Sequence, residues 1–211
     1  SHGAFLYAPD YLQAFRQYFQ QAGILKEALL SYNQLEVSPE GVRWNGLEAR
    51  YVIFCEGWAM RANPFFSHLP LMPVKGQVLI INAPELKATK VLNKGLWLIP
   101  LGSGRFRVGA TYEHDLDTTE PSEEGYQQLC RQLDKLLLVN YEILSRQTGV
   151  RPAMADKLPV AGWHPDYPAV GILNGLGSKG VLQAPYLATA LLNSQPEGVF
   201  PVPDADVRRY F

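Results

Sequence analysis

The chain has 211 residues, 47% hydrophobic and 18% charged, with a net charge of −1. That length suits one large domain or two small ones, and the near-neutral balance argues against general affinity for nucleic acid or anionic membrane. Two cysteines, Cys55 and Cys130, are too few for a disulfide framework and lie in no zinc-ligand spacing. The apolar runs fall short of the ~20 residues of a membrane span, and no secretory leader pattern opens the sequence, so a cytoplasmic setting is expected.

In chain order, residues 5–7 read as a short strand. Pro9 and Asp10 open an amphipathic helix in which Tyr11, Leu12, Phe15, Tyr18 and Phe19 recur at helical spacing, and Gly23 ends it. Residues 26–35 read as a strand, and residues 42–44 and 49–55 as a hairpin-like pair around Asn45-Gly46. The apolar run 51–55 reads as a buried strand, with Cys55 a core thiol. From 70 to 112 period-2 alternation predicts antiparallel strands at 77–82, 90–93, 97–101 and 106–112, with Gly102-Ser103-Gly104 as a tight turn. Arg105, Arg107 and His114 read as a solvated strand face, and Trp58 and Trp97 as packing residues. An acidic, turn-rich stretch over 113–124 precedes a helix predicted at 123–144, capped near Ser122, with Leu129, Leu133, Leu136, Leu137 and Tyr141 as its apolar stripe.

Residues 169–173 form a strand-like run, followed by Gly175, Gly177 and Gly180 in a G-x-G-x-x-G pattern and a helix-like run over 181–192. Such a fingerprint opens a βαβ unit and needs a second strand with an acid about 20 residues on. Here 31 residues remain; Glu197 and Asp204 are the available acids and lie among Pro196, Pro201 and Pro203. A phosphate P-loop is excluded because Lys179 precedes Gly180. What remains is a backbone that delivers free amides and a helix dipole to an anion, or a turn used for packing alone. Arg151, held extended by Pro152, presents a fork suited to a carboxylate, with a structural ion pair to Asp156 as the alternative. Tyr112 faces either a pocket or the sheet, and Gly57 marks either a close backbone approach or a tight turn. His2, His68, His114 and His164 share no ligand spacing, so no metal site is expected, and no nucleophilic triad ordering occurs.

Five segments, residues 49–58 (ARYVIFCEGW), 73–77 (PVKGQ), 104–112 (GRFRVGATY), 149–153 (GVRPA) with Asp156 and Pro159, and 175–185 (GLGSKGVLQAP), resemble in order the FAD-dependent amine and amino-acid oxidoreductases of the D-amino acid oxidase and glycine oxidase type. The resemblance spans about residues 49–190, and the first 48 fit the family's strand–helix–strand pattern, the last strand, around Tyr32, lying near the adenine. It implies an α+β protein, an α/β remnant in which an antiparallel or mixed β-sheet substrate domain (62–148) is inserted in the remainder of an FAD-binding domain (1–61 and 149–195), followed by a C-terminal tail (196–211). In that family a Rossmann βαβ unit comes first, so the sequence resembles the C-terminal portion of a member, and FAD is expected for the full-length protein and weakly held by, or absent from, this portion. The resemblance implies flavin contacts from Gly57, Gly175, Gly177, Ser178, Lys179, Gly180 and Val181, and substrate contacts from Arg151, at the carboxylate, and Tyr112. It further implies hydride transfer from the α-carbon of a small-molecule amine or amino acid to flavin N5, with no catalytic acid–base side chain. A non-catalytic binding module and one half of a two-chain flavoenzyme are the alternatives.

Overall fold

A computed structural model describes residues 5–114 and 118–211. Helix α1 (Ala8–Gln21) forms where the aromatic spacing predicts, with proline in its first turn and Gly23 at φ +69° just beyond its end. None of its residues is buried, so the aromatic stripe faces outward, with Tyr11 and Phe15 stacked edge-on at 4.8 Å. The expected strands at 5–7 and 26–35 do not form; of the second only Leu35 is extended in a ladder, after a short 3-10 turn over Tyr32–Gln34. Residues 5–7 and 26–34 have no pairing partner among the described residues, and β-propensity without one does not make a strand.

Strands β1 (Leu35–Ser38), β2 (Gly41–Trp44) and β3 (Leu47–Ala49) make a small antiparallel sheet. Asn45 and Gly46, at φ +46° and +75°, close the β2–β3 hairpin as expected. The predicted second arm is in fact two elements. Residues beyond β3 turn away, and β4 (Val52–Phe54) pairs elsewhere. A continuous apolar run suits a strand with both faces covered rather than a hairpin edge. Cys55 lies past the end of β4 and is exposed, not a core thiol.

The middle of the chain builds a five-stranded antiparallel sheet. Its strands are β5 (Val74–Asn82), β6 (Leu92–Asn93), β7 (Trp97–Gly102), β8 (Arg105–Gly109) and β9 (Glu142–Arg151), in the order β6-β7-β8-β5-β9. Helix α2 (Glu123–Leu136) covers one face, packing Leu129 and Leu133 on Leu79, Ile81, Leu98, Phe106 and Val108. Ser122 caps it as expected, its Oγ accepting from Gly125 N at 3.0 Å. The helix stops at Leu136 rather than 144. Residues 142–151 instead form β9, paired along the whole of β5, so ladder hydrogen bonds override a helix-like apolar spacing. Strand 106–112 is likewise shorter than expected, β8 ending at Gly109.

Strands β10 (Val160–Trp163) and β11 (Val170–Asn174) complete a mixed sheet in the order β10-β11-β4, antiparallel between the first two and parallel between the last. Helix α3 (Gly180–Asn193) lays Leu187 and Leu191 on Ala161 and Trp163, alongside Phe200 and Ala205. Val207 is also fully buried, so the C-terminal segment contributes to the core. The protein is α+β, with antiparallel and mixed sheets.

Candidate functional site

Because β4 and β11 run parallel, Val52 beside Val170 and Phe54 beside Ile172, the chain leaves both strands at the same edge of the sheet. The crevice beyond the carboxyl ends of adjacent parallel strands is where open sheets bind ligands. Two glycine turns sit there, Gly57 after β4 at φ +58° and Gly175 after β11 at φ +71°. Buried Asn174 joins them: its Nδ2 donates to Gly57 O at 2.9 Å and its Oδ1 accepts from Gly175 N at 2.8 Å. A Cβ on Gly175 would lie 2.5 Å from Met154 Cγ, whereas one on Gly57 would meet nothing within 4 Å. Gly57 thus presents bare backbone to open space. The neighbouring Glu56 is tied back by the Tyr32 hydroxyl and by Asn63 Nδ2 at 2.7 Å. Burial, with that carboxylate beside it, pushes the Tyr32 hydroxyl up to about 12.

A single turn over Gly177–Lys179 leads into α3, whose first turn no side chain caps. Gly177 holds φ +53°, while Gly180 is already helical at φ −52°, so glycine is conformationally required at the first position only. Ser178, Lys179 and Val181 are exposed on this open end.

The end of β9 docks onto the same loop. Gly177 N donates to Pro152 O at 3.0 Å, and Ala153 bridges Leu176. This brings Arg151 to the loop. Its Cζ lies 4.7 Å from the Tyr112 ring centroid and its Nη1 donates to Thr111 O at 3.4 Å. Arg151 has no carboxylate partner among the described residues. The expected competing pair with Asp156 does not form, because Asp156 accepts from Arg209 Nε at 3.2 Å and Tyr210 Oη at 2.6 Å. Tyr112, 69% exposed, stands between two anchored neighbours. Gln77 N donates to Thr111 Oγ1 at 2.8 Å, and Lys75 and Glu113 exchange backbone bonds at 2.8 and 2.9 Å. Buried Lys75 also sets its Nζ 3.3 Å from Glu113 Oε2. Burial pushes the Glu113 carboxyl up, but donors from Thr111, Ser122 and Lys75 outweigh it and hold the group below the usual carboxylate range.

The structure therefore gathers Arg151 with Tyr112, and the 57 and 175 turns with each other, and ties the two groups through Pro152 and Ala153. Asn174 escapes the sequence reading; its one signal is a polar residue closing an apolar strand. Arg107, read as part of a solvated face, is half-buried and donates to Gln147 at 3.0 Å. Trp58 and Trp97 are substantially exposed rather than packed. His2 lies outside the described residues, among which no metal-binding group of three side chains occurs and no helix is long and apolar enough to cross a membrane.

An α+β fold thus carries a glycine-turned crevice at parallel strand ends, with an arginine beside it that has no carboxylate partner among the described residues. The family profile described as DAO, FAD dependent oxidoreductase, matches residues 1–193, and the chain belongs to that family, whose cofactor is FAD. It is 34% identical over 149 residues to the tRNA 5-methylaminomethyl-2-thiouridine biosynthesis bifunctional protein MnmC of Marinobacter nauticus, covering 64% of this chain and 24% of that one. It is 28% identical over 152 residues to glycine oxidase of Pseudomonas aeruginosa, covering 69% and 42%. Its fold matches the crystal structure of iminodiacetate oxidase from Chelativorans sp. BNC1 with a TM-score of 0.66 at 22% identity, covering 84% and 51%. The chain thus spans between a quarter and a half of these relatives' length.

Proposed function

We propose that this chain supplies the flavin-contacting and substrate-anchoring portion of an FAD-dependent oxidoreductase acting on a small amine or amino acid. One observation carries the reading: Arg151, free of any carboxylate among the described residues, is held by backbone contacts against the glycine loop of a family whose cofactor is FAD. The residues present fit that cofactor. Positive-φ backbone at Gly57, Gly175 and Gly177 permits close approach of a flat or anionic group. The uncapped start of α3 at Gly180 and Val181, with exposed Ser178 and Lys179, offers donors and positive potential. When bound, the flavin supplies hydride acceptance from the carbon bearing the amine. Arg151 holds the substrate carboxylate through its planar fork, and Tyr112 braces the guanidinium. A substrate amine bound in its neutral form needs no side-chain base, so orientation is the chain's main contribution. In this reading residues 1–61 and 149–195 serve the cofactor and 62–148 the substrate, with Arg151 reaching the substrate from the cofactor side.

Arg151→Ala, made in the full-length enzyme that carries this segment, raises the KM for a carboxylate substrate by about tenfold to a hundredfold while the bound-flavin spectrum stays unchanged. An unaltered KM overturns the assignment.

A further inference from the structure

Arg151 keeps its place because of a missing side chain on the neighbouring strand. On β5, Gly76 is paired across the sheet with Gly149 of β9, two residues before Arg151. Both glycines occupy the sheet face opposite α2, which alternation assigns to residues 74, 76 and 78 once Leu79 and Ile81 point at the helix. Their surroundings differ sharply. A Cβ on Gly149 would meet nothing within 4 Å, whereas one on Gly76 would lie 2.3 Å from Arg151 Nη1, 2.4 Å from Nη2 and 2.5 Å from Cζ. The guanidinium of Arg151 therefore occupies the volume a side chain would take at 76. It rests on bare β5 backbone and is braced by the ring of Tyr112, with Thr111 O its only acceptor among the described residues. Gly76 is not among the glycines of positive φ, so conformation does not require glycine there.

We infer that Gly76 is a positioning residue: its lack of a side chain forms the seat on which the Arg151 guanidinium lies, with its free N–H edge turned to a carboxylate ligand. This rests on the reading of Arg151 as the carboxylate anchor. An alanine at 76 displaces the far end of a flexible side chain, so it costs little in folding and instead relocates the guanidinium. The effect appears in ligand recognition rather than in stability. Backbone at 76 also contributes rigidity that a flexible wall would not, so the fork is pre-ordered before a ligand arrives.

The test uses the 211-residue chain labelled with nitrogen-15, and acetate as the probe at constant ionic strength. The Arg151 Nε–Hε resonance, identified by its loss in Arg151→Ala, reports both the Tyr112 ring and the bound carboxylate. Gly76→Ala is expected to move that resonance away from its ring-shifted position and to weaken acetate binding by about tenfold or more. Gly149→Ala, on the same face two strand positions away, leaves both unchanged. A Gly76→Ala resonance and acetate affinity equal to those of the parent chain overturn the inference. A resonance that moves in Gly76→Ala, in a parent chain on which acetate has no effect, keeps the seat and removes the carboxylate reading of Arg151.

Discussion

The Asn174 amide reaches Gly57, 117 residues away in the chain, and so joins two turns. The bond to Gly175 is buried and the bond to Gly57 partly so, and truncation strands the Gly175 N–H out of water. Asn174→Ala is expected to cost about 2 kcal/mol, since the buried Gly175 N–H left unpaired carries its desolvation penalty. For a chain of this size that lowers Tm by about 4–8 °C, readable by calorimetry; a change below 1 °C would show that the amide does not hold the turns. The contrast with Arg151 explains which site residues the sequence exposes. A cation next to proline in an apolar setting announces a use for itself. An asparagine closing a strand looks like any turn former. Gly76 is subtler still, because its role is a volume it leaves to another residue 75 positions away, and spacing along the chain carries no trace of it.

The three helices and most turns follow from local signals that the structure keeps: Asn45-Gly46, Gly102-Ser103-Gly104 and the Ser122 cap each act within four residues. Strand β9 fails that test. Leu136, Leu137, Tyr141 and Leu144 continue a helical spacing, and only the far edge of β5 turns the second half into a strand. The hairpin arm that divides into β3 and β4 has the same origin, since its second half finds β11, more than 100 residues on. The C-terminal segment shows how one polar cluster fixes such an element. Asp156 binds Tyr210 and Arg209, and Arg209 Nη2 also reaches Pro159 O at 2.9 Å, holding the last turn against β10. Burial pushes the Asp156 carboxyl up, but hydrogen bonds from Tyr210, Leu158 N and Arg209 outweigh it and keep it below the usual carboxylate range. A depressed carboxyl contributes stability above its unfolded pKa of about 3.9 and loses it as pH falls through the folded value. Amide exchange in residues 205–211 is therefore expected to accelerate below about pH 4 ahead of the five-stranded sheet. Asp156→Asn removes that pH step, and a segment that stays protected in acid as long as β5 would count against the clasp.

Across the whole molecule, apolar surface is unevenly covered. The α1 stripe, Leu29, and Leu182, Tyr186 and Leu192 of α3 are exposed, and one edge of β4 carries no partner strand among the described residues. Exposed apolar faces and free strand edges both promote association. The purified chain is expected to self-associate with rising concentration in sedimentation velocity runs. Leu12→Glu with Tyr18→Lys on α1 shifts it toward the monomer, and sedimentation that ignores both concentration and these substitutions refutes the expectation.

The main-chain bond from Gly177 to Pro152, with the adjoining Ala153–Leu176 bridge, has a consequence for chemistry. It joins the arginine-bearing strand to the glycine loop through peptide groups alone, independent of what side chains stand there. On the proposed reading the link is a ruler. It sets how many covalent bonds separate the held carboxylate from the carbon to be oxidised, and leaves every group off that line free to vary.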